Sequence, residues 1–262
     1  MSAAPIGVFD SGLGGLSVLR ALRAELPGEH FIYFADTGNA PYGERSDEFI
    51  AARSLEIARH LHDDHGAKAL VVACNTATAS AIHLIRQTYA HLPVVGVEPG
   101  LKPAIAASQT KRIGVLATRG TLASAKFRAL HLSLANQASF QLQPCDGLAD
   151  AIERGDTALV DELSERYVDA LGTVGSGPGE VDTLVLGCTH YPLVMERFAQ
   201  LAGSQVRLIE TGAPVARHTR FVLEGAGLLA QQGPGELSLL TTGDLVALQA
   251  AAARWLARPQ GS

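Results

Sequence analysis

Two cysteines of this chain stand in similar surroundings. Cys74 closes the run "ALVVAC" and is followed by Asn75 and Thr76; Cys188 closes "TLVLGC" and is followed by Thr189 and His190. Each thiol ends an apolar, strand-like run at a point where a helix is expected to begin. A helix amino terminus offers free backbone N–H groups and positive partial charge, and it lowers a thiol pKa from about 8.5 toward neutrality. A lone cysteine after a strand is ordinarily a packing residue. Two in equivalent places point instead to a pair of reactive thiols. The third, Cys145 in "LQPCDGLAD", lacks these features and is expected to be structural. The three cysteines are widely spaced and form no CxxC, so neither a disulfide framework nor a metal site is expected.

Other polar groups also follow apolar runs: Asp10-Ser11, and Thr118 with Thr121. "DTGNAPYGERS", residues 36–46, is a longer loop able to lie over a crevice. Bland readings stand beside these. Asp10 could cap the turn that follows it, Asn75 and Thr76 are natural helix caps, and His190 alone carries little. A dinucleotide site is a further rival. "GLGGLS" from Gly12 nearly matches GxGxxG, and Asp36 ends the next strand, where such a site keeps its acidic residue. Against it, Ser17 replaces the third glycine, and Asp10 would repel a pyrophosphate.

Two thiols flanking the Cα of an amino acid could invert its configuration. One thiolate removes the Cα proton, and the opposite thiol delivers another to the other face. The enantiomers have equal free energy, so both faces need similar acid–base capacity, which a matched pair of cysteines supplies. The Cα–H is a very weak acid, so stabilisation of the carbanion must carry much of the barrier reduction. Helix-start amides and the Asn and Thr side chains suit the α-carboxylate, and Asp10 suits the ammonium.

Nine strands are expected to position these groups, at residues 5–10, 30–35, 68–73, 93–97, 112–117, 139–143, 182–187, 205–209 and 236–241. Helical spacing lies between them, as at 16–26, 47–65, 76–89 and 121–134. Alternating strands and helices imply parallel sheets in an α/β fold. Runs such as "IGVF" and "TLVLG" are apolar without alternation, as strands buried on both faces should be. Nine strands fit two α/β domains better than one, and the final strand and helix are expected to return to an earlier domain. "GTVGSGPGE" and "AQQGPGE" read as surface loops. In such sheets ligands sit at the carboxyl ends of the strands.

The 262 residues are 47% hydrophobic and 18% charged, with a formal charge of −5. This is ordinary for a globular protein and long enough for a real core. No long basic run favours nucleic acid, and no apolar run approaches the roughly 20 residues of a membrane helix. A cytoplasmic location is expected.

The segments "GVFDSGLGGLSVL", "YFADTGNAPYGERS", "VVACNTATASA", "PVVGVEPGLKPA", "GVLATRGTLAS", "LVLGCTHYPLV", "ETGAPVAR" and "TTGDL" together resemble bacterial glutamate racemases of the aspartate/glutamate racemase family. The resemblance runs from Ile6 to about Trp255. It implies two doubly wound parallel-sheet domains facing each other about a pseudo-two-fold axis, with the active site in the cleft between them. The first domain would be residues 1–97 plus 210–262 and the second 98–209. It implies a reaction without cofactor, in which Cys74 takes the proton from D-glutamate and Cys188 from L-glutamate. Asp10 and His190 would assist, with Glu153 of "LADAIERGD" as a third helper. Ser11, Pro41, Tyr42 and Gly43 would hold the side-chain carboxylate. Asn75, Thr76, Thr118, Thr121 and Thr189, with Asp10 and His190, would hold the amino-acid end. D-glutamate would feed peptidoglycan synthesis and cell shape, and a homodimer is expected. Glu210-Thr211 stands where many relatives carry Asp-Ser, a conservative departure. The N-terminus is short compared with relatives activated by a cell-wall precursor, so no such activation is expected. An aspartate racemase on the same scaffold is one alternative, and a non-catalytic protein that sequesters gyrase is another.

Overall fold

The structure is a computed structural model that describes residues 4–230 and 233–257. Gln231 and Gln232 of the "AQQGPGE" stretch lie outside the described residues. Along the chain run Ile6–Asp10 (β1), Leu16–Glu25 (α1), Phe31–Ala35 (β2), Asp47–Arg59 (α2), Ala69–Val72 (β3), Asn75–Thr88 (α3) and Val94–Gly96 (β4). Next come Leu101–Ala107 (α4), Arg112–Ala117 (β5), Arg119–Ala123 (α5), Ala125–Leu134 (α6), Ser139–Pro144 (β6), Leu148–Arg154 (α7) and Thr157–Asp169 (α8). Thr183–Gly187 (β7), Met195–Ala202 (α9), Arg207–Ile209 (β8), Gly212–Gly225 (α10), Leu237–Thr241 (β9) and Leu245–Leu256 (α11) complete it.

The chain divides into two compact units, residues 1–97 with 212–262, and residues 98–211. The first holds a five-stranded sheet in the order β4-β3-β1-β2-β9, and the second a four-stranded sheet in the order β6-β5-β7-β8. Every pairing in both is parallel. Helices cover the sheets because parallel strands must be joined by crossovers. That explains the unbroken apolar runs: β1, β2, β3 and β7 are buried at every position. The edge strands β6 and β9 are partly exposed and carry Ser and Gln.

The two sheets share a connection pattern. From β1 the chain goes first to one side (β2) and then to the other (β3, β4); from β5 it goes to β6 and then to β7 and β8. Each sheet therefore has a topological switch point, β1/β3 in one and β5/β7 in the other, and ligand crevices form at the carboxyl ends of such strands. Cys74 follows β3 and Cys188 follows β7, so the two thiols stand at corresponding places.

Two helical spans differ from expectation. The span 121–134 is two helices, because Ser124 adopts an extended backbone (φ −65°, ψ 146°) and caps α6 by accepting from the Phe127 amide. A serine with a free choice takes the cap over the helix interior. The span 47–65 is α2 followed by a π-helical turn at His60–Asp64. In the tail, β9 pairs with β2, and α10 and α11 pack on α1. Among the described residues no helix is long and apolar enough to cross a membrane.

Candidate active site

In the first unit, Asp10, Ser11, Cys74, Asn75 and Thr76 gather at the carboxyl ends of β1 and β3, and all are buried. The Asp10 carboxylate accepts from the Gly15 amide at 2.5 Å. Gly15 is required there, since a Cβ on it would lie 2.6 Å from the Asp10 Cβ and 2.9 Å from the Tyr33 hydroxyl. The glycine-rich turn is thus built around a carboxylate, which holds the amide that a pyrophosphate would need. The dinucleotide reading fails for a second reason: Asp36 is engaged by Arg53, Tyr42, Asn39 and Thr242 rather than aimed at a ribose.

The cap of α3 is Cys74 itself, not Asn75 or Thr76. Its backbone is extended (φ −111°, ψ 125°) and its sulfur accepts from the Ala77 amide at 3.4 Å. An amide and a helix start aimed at the sulfur suit negative charge there. The Cys74 thiol also donates to the Ser11 hydroxyl at 3.7 Å. Asn75 follows as the first helical residue, 6% exposed, and both polar atoms of its side-chain amide lack a hydrogen-bond partner among the described residues. A buried amide is ordinarily satisfied, so this one is suited to a polar ligand beside the thiol. Pro41 precedes a tight turn, Tyr42–Glu44, whose Tyr42 is buried in the same apolar cluster as Cys74. The Tyr42 hydroxyl donates to Asp36 at 2.6 Å, and burial together with that carboxylate pushes its pKa well up. Its side chain is therefore committed, and its carbonyl accepts from the Arg45 amide at 3.1 Å.

In the second unit, Thr118 follows β5 and caps α5, accepting from the Thr121 amide at 3.2 Å and donating to the Thr121 hydroxyl at 2.9 Å. Cys188, Thr189 and His190 follow β7 and are buried. The Cys188 sulfur lies 3.5 Å from Nδ1 of His190, and Nε2 of His190 lies 2.7 Å from a Glu153 carboxylate oxygen on α7. Burial alone would lower the His190 pKa; the sulfur and the carboxylate outweigh it and raise it well above the ordinary value. The result is a thiol–imidazole–carboxylate chain. Cys188 does not start an α-helix, because Pro192 falls in a short 3-10 turn, Tyr191–Val194, and α9 begins only at Met195. The imidazole, rather than a helix end, is the hydrogen-bond partner of this sulfur.

Cys145 is also buried. Burial pushes its thiol far up, and it donates to the Gln143 carbonyl at 3.4 Å. Among the described residues no group of three or more His, Cys, Asp or Glu side chains is arranged for a metal. Sequence reasoning missed the bracing role of Asp36 and of Thr242; Thr242 carries no local signal, since its partners are some two hundred residues away in the chain.

A profile of the Asp/Glu/hydantoin racemase family matches residues 6–219. The glutamate racemase of Ralstonia pickettii (strain 12J) is 50% identical over 255 residues, which span 97% of this chain and 88% of that one. Among solved structures, glutamate racemase isoform RacE1 from Bacillus anthracis matches with a TM-score of 0.86 at 34% identity, over 97% of this chain and 94% of that one. The glutamate racemase of Francisella tularensis subsp. tularensis SCHU S4, solved with D-glutamate, matches with a TM-score of 0.82 at 26% identity, over 100% of this chain and 96% of that one.

Proposed function

The chain belongs to the Asp/Glu/hydantoin racemase family, and from that premise we propose that it interconverts L- and D-glutamate without a cofactor, with Cys74 and Cys188 as its two bases. That it is an amino-acid racemase follows from the family and from its half-identical relatives; the two-base mechanism is the further step. The observation that carries it is the matched position of the thiols. Each follows the third strand of a sheet with the same connection order, and each is served by its own polar partners.

From D-glutamate, the Cys74 thiolate takes the Cα proton and becomes a thiol. The electron pair stays on Cα and is delocalised into the α-carboxylate. The Cys188 thiol then gives its proton to the opposite face, which yields L-glutamate and a Cys188 thiolate. The cycle closes when Cys74 releases the proton it gained to solvent and Cys188 takes one up from His190, which is held by Glu153 against that sulfur and is reprotonated from solvent. The reverse reaction runs through the same groups. Asn75, Thr76, Thr118, Thr121 and Thr189 bind the α-carboxylate and its growing negative charge. Asp10 pairs with the ammonium, and Ser11 with the Pro41–Gly43 turn takes the side-chain carboxylate. A buried carbanion needs such fixed donors, which act without reorganisation at the moment of reaction.

The same reading has D-glutamate supplied in the cytoplasm for peptidoglycan and cell shape, by a homodimer. Its test is incubation of metal- and pyridoxal-free protein with each glutamate enantiomer in D2O, following circular dichroism and the Cα–H proton signal. Loss of optical activity from both sides, with deuterium entering Cα, supports the proposal. Turnover of aspartate in preference to glutamate would replace the substrate, and no exchange with either would sink the enzyme mechanism.

A further inference from the structure

Asp36, at the end of β2, has a fully buried carboxylate that accepts five hydrogen bonds. Their donors come from three separate parts of the first unit. The loop that follows supplies Asn39 Nδ2 at 3.0 Å and the Tyr42 hydroxyl at 2.6 Å. Helix α2 supplies Arg53 through Nε at 2.9 Å and a terminal nitrogen at 2.8 Å, a two-pronged ion pair. The segment after β9 supplies the Thr242 hydroxyl at 2.8 Å. The Asp36 amide in turn donates to the Asp10 carbonyl at 3.0 Å.

Every one of these ties converges on residues 36–44. The tail braces the same loop twice more, through Thr37 to Thr241 at 2.9 Å and through the Gly38 amide to Thr242 at 3.0 Å. Tyr42 is held at both ends of its side chain, its ring in the cluster that contains Cys74 and its hydroxyl on Asp36. The backbone of Tyr42 and Gly43 is thereby fixed relative to the strand end that carries the thiol. A carboxylate is the one side chain of this size that accepts from so many donors without offering one of its own.

We infer that Asp36 is a positioning residue for substrate choice: by fixing the Tyr42–Gly43 turn it sets how far from Cys74 a side-chain carboxylate is held, and so selects glutamate over the shorter aspartate. This rests on the proposed reaction. The distance between turn and thiol, not the acid–base chemistry, is what Asp36 governs. Its loss should therefore appear in binding and in substrate preference.

The test compares steady-state kinetics of the wild type, Asp36→Asn and Tyr42→Phe with both glutamate and aspartate, alongside thermal unfolding. Asp36→Asn is expected to raise KM for glutamate about tenfold with kcat changed no more than about threefold, and to cut the preference over aspartate about tenfold. Tyr42→Phe keeps the ring and removes one donor, so it should shift KM the same way by about threefold, and it carries the test if Asp36→Asn does not fold. A fall in kcat or in active fraction, with KM and preference unchanged, would show a merely structural role and overturn the inference. A wild type inert toward glutamate would overturn the parent reading and this one with it. An active wild type whose variants keep their KM overturns this one alone.

Discussion

At the scale of single residues, the chemistry assigns unequal weight to three cysteines that composition alone would not separate. Cys74→Ser and Cys188→Ser are each expected to lower racemisation by about 10²–10⁴-fold, the usual contribution of a positioned acid or base. Each should keep deuterium exchange with one enantiomer only: D-glutamate when Cys74 remains, L-glutamate when Cys188 remains. Exchange measured by proton NMR separates these outcomes, and near-full racemisation by either variant would refute the two-base scheme. Cys145→Ser should leave turnover within about twofold, because this thiol is neither ionised nor at a switch point. The two thiols were legible from their neighbours in the sequence. The His190–Glu153 contact was not, because Glu153 reaches His190 from a helix 37 residues earlier in the chain.

At the scale of elements, the glycine-rich turn after β1 is a packing requirement imposed by Asp10. Gly15→Ala should destabilise the protein by about 1–3 kcal/mol, as overpacking does, and should lower activity with it. A shift of the urea midpoint at constant slope would register the loss; an unchanged midpoint would mean the turn can yield. In the second unit, Asp182 plays an anchoring role at the amino end of β7. Its carboxylate accepts from the Ser108 hydroxyl at 2.6 Å and from the Gln109 and Thr110 amides at 2.6 and 2.9 Å. Burial works to raise its pKa, but these bonds outweigh it and the net shift is downward. A carboxyl held lower in the folded than in the unfolded state stabilises the fold above its unfolded pKa of about 3.9, and that contribution is lost as pH falls through the folded value. Asp182→Asn should therefore be less stable than wild type at pH 7 by about 1–3 kcal/mol, with the gap narrowing between pH 5 and pH 3. Denaturant midpoints across that range check it, and a pH-independent gap would contradict it.

At the scale of the whole molecule, one unit is a continuous stretch of chain and the other is not. Residues 98–211 carry all four strands of their sheet, whereas residues 1–97 lack β9 and α10. Without β9, the fully apolar strand β2 becomes an open edge, and without α10 the apolar side of α1 loses its cover. A fragment of residues 98–211 is expected to unfold cooperatively on heating, and one of residues 1–97 to aggregate or remain unfolded. Calorimetry on the two fragments decides it; a cooperative transition from residues 1–97 would show that the tail is not needed for the first core.

What the sequence by itself determined was local: the nine strands, the apolar runs of doubly covered parallel sheets, the polar residues at their carboxyl ends and the two cysteines that each follow such a strand. These follow from periodicity and from residue chemistry over a handful of neighbours. The resemblance of its motifs named the family as well. Only the tertiary structure decided the matched strand order that makes the two cysteines correspond, the contacts that link the Cys188 sulfur to His190 and His190 to Glu153, and the conversion of Asp36 from a possible ribose ligand into the brace of a loop. Those depend on contacts between residues far apart in the chain, which no local pattern encodes, because a side chain's hydrogen-bond partners are set by the packing of whole elements rather than by its neighbours in sequence.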